Sequence, residues 1–241
     1  MAFKKILLAF DNSDSSRVAL QKACDIASKF GSEITALFVN SGVSKNFADS
    51  KKFLEDFASS KDIELTLEER KGKVYNEVIA LEKAGDFELI LIGTHGKSGW
   101  QPSWMGSNAF KVISSSHCPV ISIQENVSNL DFSNILLPIA DSTTTRQKVA
   151  YCTVLAKAFG ATVHILGLSK SKSKSTVNRV SSYVRQTERY LAEQRVKYTV
   201  NSEFGVKVPE KCISYSKEVG AGLLLMMTET ESAGYFMESY A

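Results

Sequence analysis

The run Ile6-Leu-Leu-Ala-Phe-Asp11 returns as Ile135-Leu-Leu-Pro-Ile-Ala140, at an offset of 129 residues. Each run is short and apolar, the pattern of a strand buried on both faces. The same offset holds without a gap through Arg17/Arg146, Ala27/Ala156 and Phe30-Gly31/Phe159-Gly160, and reaches Ala36-Leu-Phe-Val39 against Ile165-Leu-Gly-Leu168. It then drifts to 133 for Ile63-Glu-Leu-Thr-Leu67 against Val196-Lys-Tyr-Thr-Val200, and to 134 for Leu89-Ile-Leu-Ile92 against Leu223-Leu-Leu-Met226. Matching elements in one order, with insertions confined to loops, denote a duplicated domain. The chain is read as two tandem copies, residues 1–126 and 133–241, with the polar stretch Glu125 to Ser133 as linker.

Within a copy the periodicities alternate. Runs 5–10, 33–39, 63–68, 88–93 and 119–123 read as strands, and the stripe Val18, Leu20, Ala23, Cys24, Ala27, Phe30 between the first two has helical spacing. Ser13, Asp14 and Ser15 supply N-cap candidates for that helix, and Gly31 stands where its carboxyl end wants a residue without Cβ. Further helices are expected near 46–60, 74–84 and 107–116. The second copy repeats the scheme with strands near 134–139, 162–168, 196–202 and 222–227, and helices near 143–159, 175–195 and 209–219. Alternating strands and helices predict an α/β fold of two open, Rossmann-like parallel sheets covered on both faces. Ligands of such sheets bind beyond the carboxyl ends of the strands, where strand order reverses.

Composition agrees and narrows the function. With 241 residues, 44% hydrophobic and 23% charged, the chain has enough apolar material for a sizeable core. Collagenous, disordered and disulfide-scaffold classes are excluded. The net charge of +3 is divided unevenly, −1 over residues 1–128 and +4 over 129–241. That surplus is too small to argue for nucleic acid or an anionic membrane. No apolar run approaches the ~20 residues of a membrane span, and none at the amino terminus forms a signal-peptide core. Cys24, Cys118, Cys152 and Cys212 are scattered without a CxxC, and His117-Cys118 alone cannot make a tetrahedral zinc site. Reduced thiols, no metal centre and a cytoplasmic setting are expected. The loop Ser169-Lys-Ser-Lys-Ser-Lys174 reads as a solvated basic segment, with phosphate or RNA contact as the other reading.

Chemistry concentrates in Leu91-Ile-Gly-Thr-His-Gly-Lys-Ser-Gly-Trp-Gln-Pro-Ser-Trp-Met-Gly-Ser107. Gly96-Lys97-Ser98 imitates the end of a Walker A loop, but that motif needs glycine at position 91, which is leucine. The spacing instead is Gly93-x-x-Gly96, nine residues, then Gly106-Ser107 at the start of a helical pattern. Glycines after a buried strand let the backbone approach a ligand, and a helix start presents free N–H groups to an anion. Together they form a phosphate cradle. Asp11 is open to two readings, ligand contact or helix N-cap. His95 fits either a general base or a neutral ring packed by the loop. Lys97 fits phosphate pairing or solvation, Trp100 and Trp104 a lid or a loop anchor, and Ser98, Asn108 and Ala109 extra donors. No carboxylate pair, nucleophile–base dyad or catalytic residue stands out.

The first copy resembles a universal stress protein domain, whose nucleotide-binding members carry G-2x-G-9x-G-[ST] after the fourth strand. Gly93, Gly96, Gly106 and Ser107 match that motif position by position. The resemblance implies strand order 3-2-1-4-5 and an ATP site. It implies an acidic residue at the adenosine, Asp11, after Ala9 and Phe10, with Ala9 where the family usually has proline. It also implies Val39 and Ile92 flanking adenine. His95, Lys97 and Asn108 complete the expected site, and Mg2+ would arrive with the phosphates. By the same resemblance the sheets often pair between domains, so a homo-oligomer or intramolecular pairing is expected.

The second copy departs from the motif. Ala140 replaces Asp11, Met227 replaces Gly93, Thr230 replaces Gly96 and Glu238 replaces Gly106. A carboxylate ~4 Å from a phosphate charge costs roughly 4 kcal/mol at an effective dielectric of 20. A micromolar site has only about 8 kcal/mol in total. Two full copies at this offset also need more than 241 residues, so the second is read as lacking its last helix and strand. Leu223 to Met227 would then be an apolar sheet edge, covered by a partner or left by truncation. The expected function is a nucleotide-dependent regulator or interaction module in stress response, with at most slow hydrolysis. The alternatives are a slow ATPase using His95 or Asp11, and a nucleotide-free structural protein. Equilibrium titration is expected to give one nucleotide per chain; two, with the second lost on mutating 227–238, would overturn the single-site reading.

Overall fold

A computed structural model describes residues 3–40, 47–61, 63–94, 107–124 and 130–227. It divides into two units, Met1–Val127 and Ser128–Ala241. The first unit runs β1 (Lys5–Ala9), α1 (Asp14–Phe30), β2 (Glu33–Asn40), α2 (Phe47–Lys61), β3 (Leu65–Lys71), α3 (Val74–Ala84), β4 (Leu89–Thr94), α4 (Ser107–Ser115), β5 (Val120–Gln124). Its five strands are parallel in the order β3-β2-β1-β4-β5, as expected. Both faces of the central strands are dry: Ile6, Leu7, Leu8, Ile90 and Leu91 are all 0% exposed. On one face Leu7, Leu37, Ile90 and Ile92 pack with Val78 and Leu81 of α3 and Val112 of α4. On the other, α1 lies along β1, β4 and β5.

Local chemistry sets the ends of α1. Ser13 is extended and its Oγ accepts from the Ser16 N–H at 3.4 Å, so Ser13 is the N-cap. Gly31 takes the left-handed conformation (φ 61°) and donates to the Ala27 carbonyl. Lys4 Nζ adds a 2.8 Å bond to the Phe30 carbonyl at the same end. The buried Glu82 carboxylate plays a comparable part before β5. Its Oε1 accepts from the His117 and Cys118 N–H groups at 2.7 and 2.9 Å. Burial, reinforced by that carboxylate, pushes the Cys118 thiol up to about 12.

The second unit runs β6 (Asn134–Ile139), a 3-10 turn (Thr143–Arg146), α5 (Lys148–Phe159), β7 (Thr162–Ser169), α6 (Lys174–Glu193), β8 (Lys197–Phe204), α7 (Val208–Glu218), β9 (Leu223–Leu224). Its described strands are parallel in the order β8-β7-β6-β9, which is 3-2-1-4 within the copy. Two expectations need correction. The helix expected over 143–159 is split, because Thr143-Thr144-Thr145 is a run of β-branched residues and Ser142 Oγ caps the Thr144 N–H at 3.3 Å. The strand expected over 222–227 contracts to two residues, paired Ile135 to Leu223 and Leu136 to Leu224.

The duplication is visible as repeated contacts. Phe3 meets Phe30 edge-on at 5.4 Å, and Phe132 meets Phe159 in the same manner at 5.2 Å. Arg17 stacks on Phe53 of α2 at 4.7 Å, and Arg146 on Tyr183 of α6 at 4.6 Å. The Asp11 N–H reaches Ser16 Oγ at 3.5 Å, and the Ala140 N–H reaches Thr145 Oγ1 at 3.0 Å. Counterparts are separated by the 129-residue offset read from the sequence, except that Tyr183 follows Phe53 by 130.

One buried charge breaks the symmetry. Lys148, where the first copy has Ala19, is 7% exposed, and burial pushes its ammonium down from 10.5 to about 8. Below pH 8 folded and unfolded chains both carry this proton. Between pH 8 and 10.5 only the unfolded chain keeps it, so stability rises with pH, by up to ~3 kcal/mol. Denaturant unfolding from pH 8 to 10.5 is therefore expected to show wild type gaining on Lys148→Met, and a constant difference would contradict it.

Candidate functional site

A cavity of about 280 Å³ opens beyond the carboxyl ends of β1, β2 and β4. This is where the order of a 3-2-1-4-5 sheet reverses and two neighbouring crossovers leave a crevice. Its walls divide by chemistry. Ala9, Leu37, Val39, Val74, Ile92 and Ala109 form an apolar slot, while Asp11, Ser13, Ser16, Thr94 and Asn108 supply polar groups. An apolar slot with a few convergent polar groups is the usual form of a small-molecule site.

The β1–α1 connection fixes the acidic corner. Asn12 is in the left-handed region (φ 62°), which turns the chain back so that Asp11 and Ser13 face one another. Asp11 Oδ1 accepts from the Ser13 N–H at 3.1 Å and from Ser13 Oγ at 2.5 Å. Asp11 is thus not the helix cap. Ser13 both caps α1 and holds the carboxylate.

Gly93 has a different physical reason from the one its place in a glycine motif suggests. A Cβ there would sit 2.6 Å from the Ser15 carbonyl carbon and the Ser16 nitrogen. The first turn of α1, with Ser15 and Ser16 buried, therefore closes directly onto β4. Gly93 also lines the cavity, so one residue serves the packing and the wall. Thr94, 2% exposed, donates from Oγ1 to the Ile123 carbonyl at 3.3 Å and anchors the end of β4 on β5.

Opposite lies the start of α4. Asn108 and Ala109 of its first turn are on the cavity wall. The first N–H groups of a helix have no partner within the helix and favour an anion. Of the twelve residues expected at the site, Ala9, Phe10, Asp11, Val39, Ile92, Gly93 and Asn108 line this cavity. Ser107 begins α4. His95, Gly96, Lys97 and Gly106 lie outside the described residues, as do Ser98, Trp100 and Trp104.

Sequence reasoning missed Leu37, Val74, Ser13 and Ser16 as wall residues. Leu37 was within reach, since it shares a strand face with Val39 at period two. Asp11 is the one ionisable side chain among the described lining residues. Among the described residues no three His, Cys, Asp or Glu side chains gather as a metal site.

Residues 2–124 match the Universal stress protein family. Universal stress protein MJ0531 of Methanocaldococcus jannaschii is 26% identical over 141 residues, covering 51% of this chain and 83% of that protein. Universal stress protein YxiE of Bacillus subtilis is 27% identical over 147 residues, covering 51% of this chain and 99% of that protein. A crystal structure of a universal stress protein from Archaeoglobus fulgidus DSM 4304 superposes along the whole molecule, with TM-score 0.77 and 18% identity. It covers 100% of this chain and 96% of the other, and extends the fold likeness to both units.

Two substitutions separate packing from binding. Gly93→Ala is expected to lower the stability of the first unit by ~1–3 kcal/mol, as overpacking against backbone does, read by chemical denaturation. Ser13→Ala is expected to cost about 1 kcal/mol as a lost cap, and to release Asp11. A Ser13→Ala chain as stable as wild type would contradict the cap.

Proposed function

The chain belongs to the universal stress protein family, and on that premise we propose that its first unit binds an adenine nucleotide, ATP foremost. The carrying observation is the division of the cavity, an apolar slot on one side and Asp11 with the α4 start on the other. A purine demands a flat apolar slot, bounded here by Val39, Leu37 and Ile92. A ribose demands an acceptor, and Asp11 is a carboxylate whose direction is set by Ser13. Phosphates demand N–H donors without side chains in the way, which the α4 start and Gly93 offer at the cavity wall. Mg2+ would come with the phosphates and keep mostly water ligands.

The reading extends to mechanism. Asp11 is already an acceptor from two Ser13 donors, an arrangement suited to holding a ligand rather than to taking a proton from water. The nucleotide then works as a bound signal with at most slow hydrolysis, in a regulator or interaction module of the stress response. A cytoplasmic setting and self-association belong to the same proposal. No described helix is long and apolar enough to cross a membrane.

Calorimetric titration with ATP, AMP and GTP tests the proposal. Adenine nucleotides are expected to bind with one site per chain and GTP more weakly. Val39→Trp, which fills the slot, is expected to abolish binding, and Asp11→Ala to weaken it by at least ~10-fold, about the loss of one charge-assisted hydrogen bond. Failure of all three nucleotides to bind the wild-type chain would sink the assignment.

A further inference from the structure

The sheet of the second unit ends at β8, which pairs with β7 along its length and with no described strand on its other side. That side is open. Lys197 and Thr199 on one face of the strand, and Val200 and Ser202 on the other, are all exposed, Val200 to 41%. An open edge of this length is a template for another strand, and natural sheets guard such edges with charge or proline. β3, the corresponding edge of the first unit, carries the charged run Glu68-Glu-Arg-Lys71. The centre of β8 has no such guard. Tyr198-Thr-Val-Asn-Ser202 is uncharged and free of proline, with Tyr198, Thr199 and Val200 among the residues that favour strands. Charge stands at either end of that run, as Lys197 and Glu203.

The placement of those charges selects the partner. Beyond the end of β8 the Gly205 N–H donates to the Ser169 carbonyl of β7 at 2.7 Å. Backbone direction alternates along a strand, so Glu203, Asn201, Thr199 and Lys197 also face β7, while Tyr198, Val200 and Ser202 turn their N–H and C=O groups outward. Two β8 strands laid antiparallel about a two-fold axis at Val200 therefore set outward residues against outward residues. Val200 meets its own copy, and Tyr198 meets Ser202. The same register puts Lys197 opposite Glu203 of the other copy, twice by symmetry, in the non-hydrogen-bonded pairs where side chains lie closest. An axis one residue away, at Thr199 or Asn201, loses both pairs. Lys211 of α7 engages Oε1 of Glu203, so the carboxylate meets Lys197 through its second oxygen.

We infer that β8 is a self-association surface, and that its occupant is β8 of a second copy of this chain, antiparallel about Val200. The contact is isologous, the same patch on both copies, so it closes as a dimer. It joins the two second-unit sheets edge to edge. One strand per copy makes a small interface, and association is weak and reversible. The inference does not rest on the nucleotide reading, because no residue of β8 lines that cavity.

The experiment is sedimentation equilibrium of the full chain, up to millimolar concentration and at low salt. Wild type is expected to dimerise. Val200→Pro removes an outward N–H that the β7 ladder does not use, and is expected to raise the dimer Kd by at least ~10-fold through two lost central bonds. Lys197→Glu and Glu203→Lys each set like charges opposite one another, and each alone is expected to dimerise at least ~10-fold more weakly than wild type. Mixed together, the two charge variants regain opposite charges at both positions, and a heterodimer close to wild-type strength is expected. If Val200→Pro does not fold, the charge variants and their mixture decide the matter. Three results would overturn the inference. One is a wild-type chain that stays monomeric throughout. Another is a wild-type dimer whose Kd neither charge variant changes, which would place self-association on another surface. The third is a mixture that associates no more tightly than either charge variant alone.

Discussion

A missing side chain at Gly93 is the constraint on which the first unit depends. Backbone of the α1 first turn lies where a Cβ would be, 2.6 Å from the Ser15 carbonyl carbon and the Ser16 nitrogen. That approach lets α1 close over β4 and puts Ser13 and Ser16 on the wall of the same cavity that Gly93 lines. At that same turn Ser13 caps α1 and holds the Asp11 carboxylate. A glycine in a ligand motif is easily credited to the ligand alone; here helix packing demands it first.

The second unit shows what happens when that constraint is lifted. Met227 occupies the equivalent position, the described strand ladder stops at Leu224, and the helix after β6 opens as a 3-10 turn before α5 begins. Features far from the crevice are kept nonetheless. The Phe132–Phe159 pair, the Arg146–Tyr183 stack and the Gly160 cap (φ 65°) reproduce their counterparts in the first unit. Packing of the first strand, its helix and the turn after it is therefore common to both copies. The first strand–helix connection has diverged in charge, with Ala140 and Lys148 at the positions of Asp11 and Ala19.

Much of the fold was legible because buried parallel strands write themselves as short apolar runs. Val74–Ala84 is a helix over the span expected, bounded by the β-rich runs that flank it. The misses have local causes. Three consecutive threonines hid a 3-10 turn inside a helical period, and Leu223-Leu-Leu-Met226 is equally apolar whether or not a ladder continues beside it. At the site, the polar corner was legible from Asp11 and Asn108, since charge and amide at strand and helix ends stand out. Leu37 and Val74 were not, because an apolar residue looks alike on a core face and on a cavity wall.

The sequence by itself determined the duplication, the alternation of strands and helices, the family and the glycine spacing. These depend on periodicity and on identities repeated at a constant offset, which a linear string carries whole. Tertiary structure alone decided what each polar residue does. Gly93 answered to the first turn of α1, Thr94 to the Ile123 carbonyl, and Lys148 was buried near Cys212 of α7. Such roles depend on which groups from distant segments share a small dry volume, where a single unpaired charge or one extra methyl outweighs any local preference.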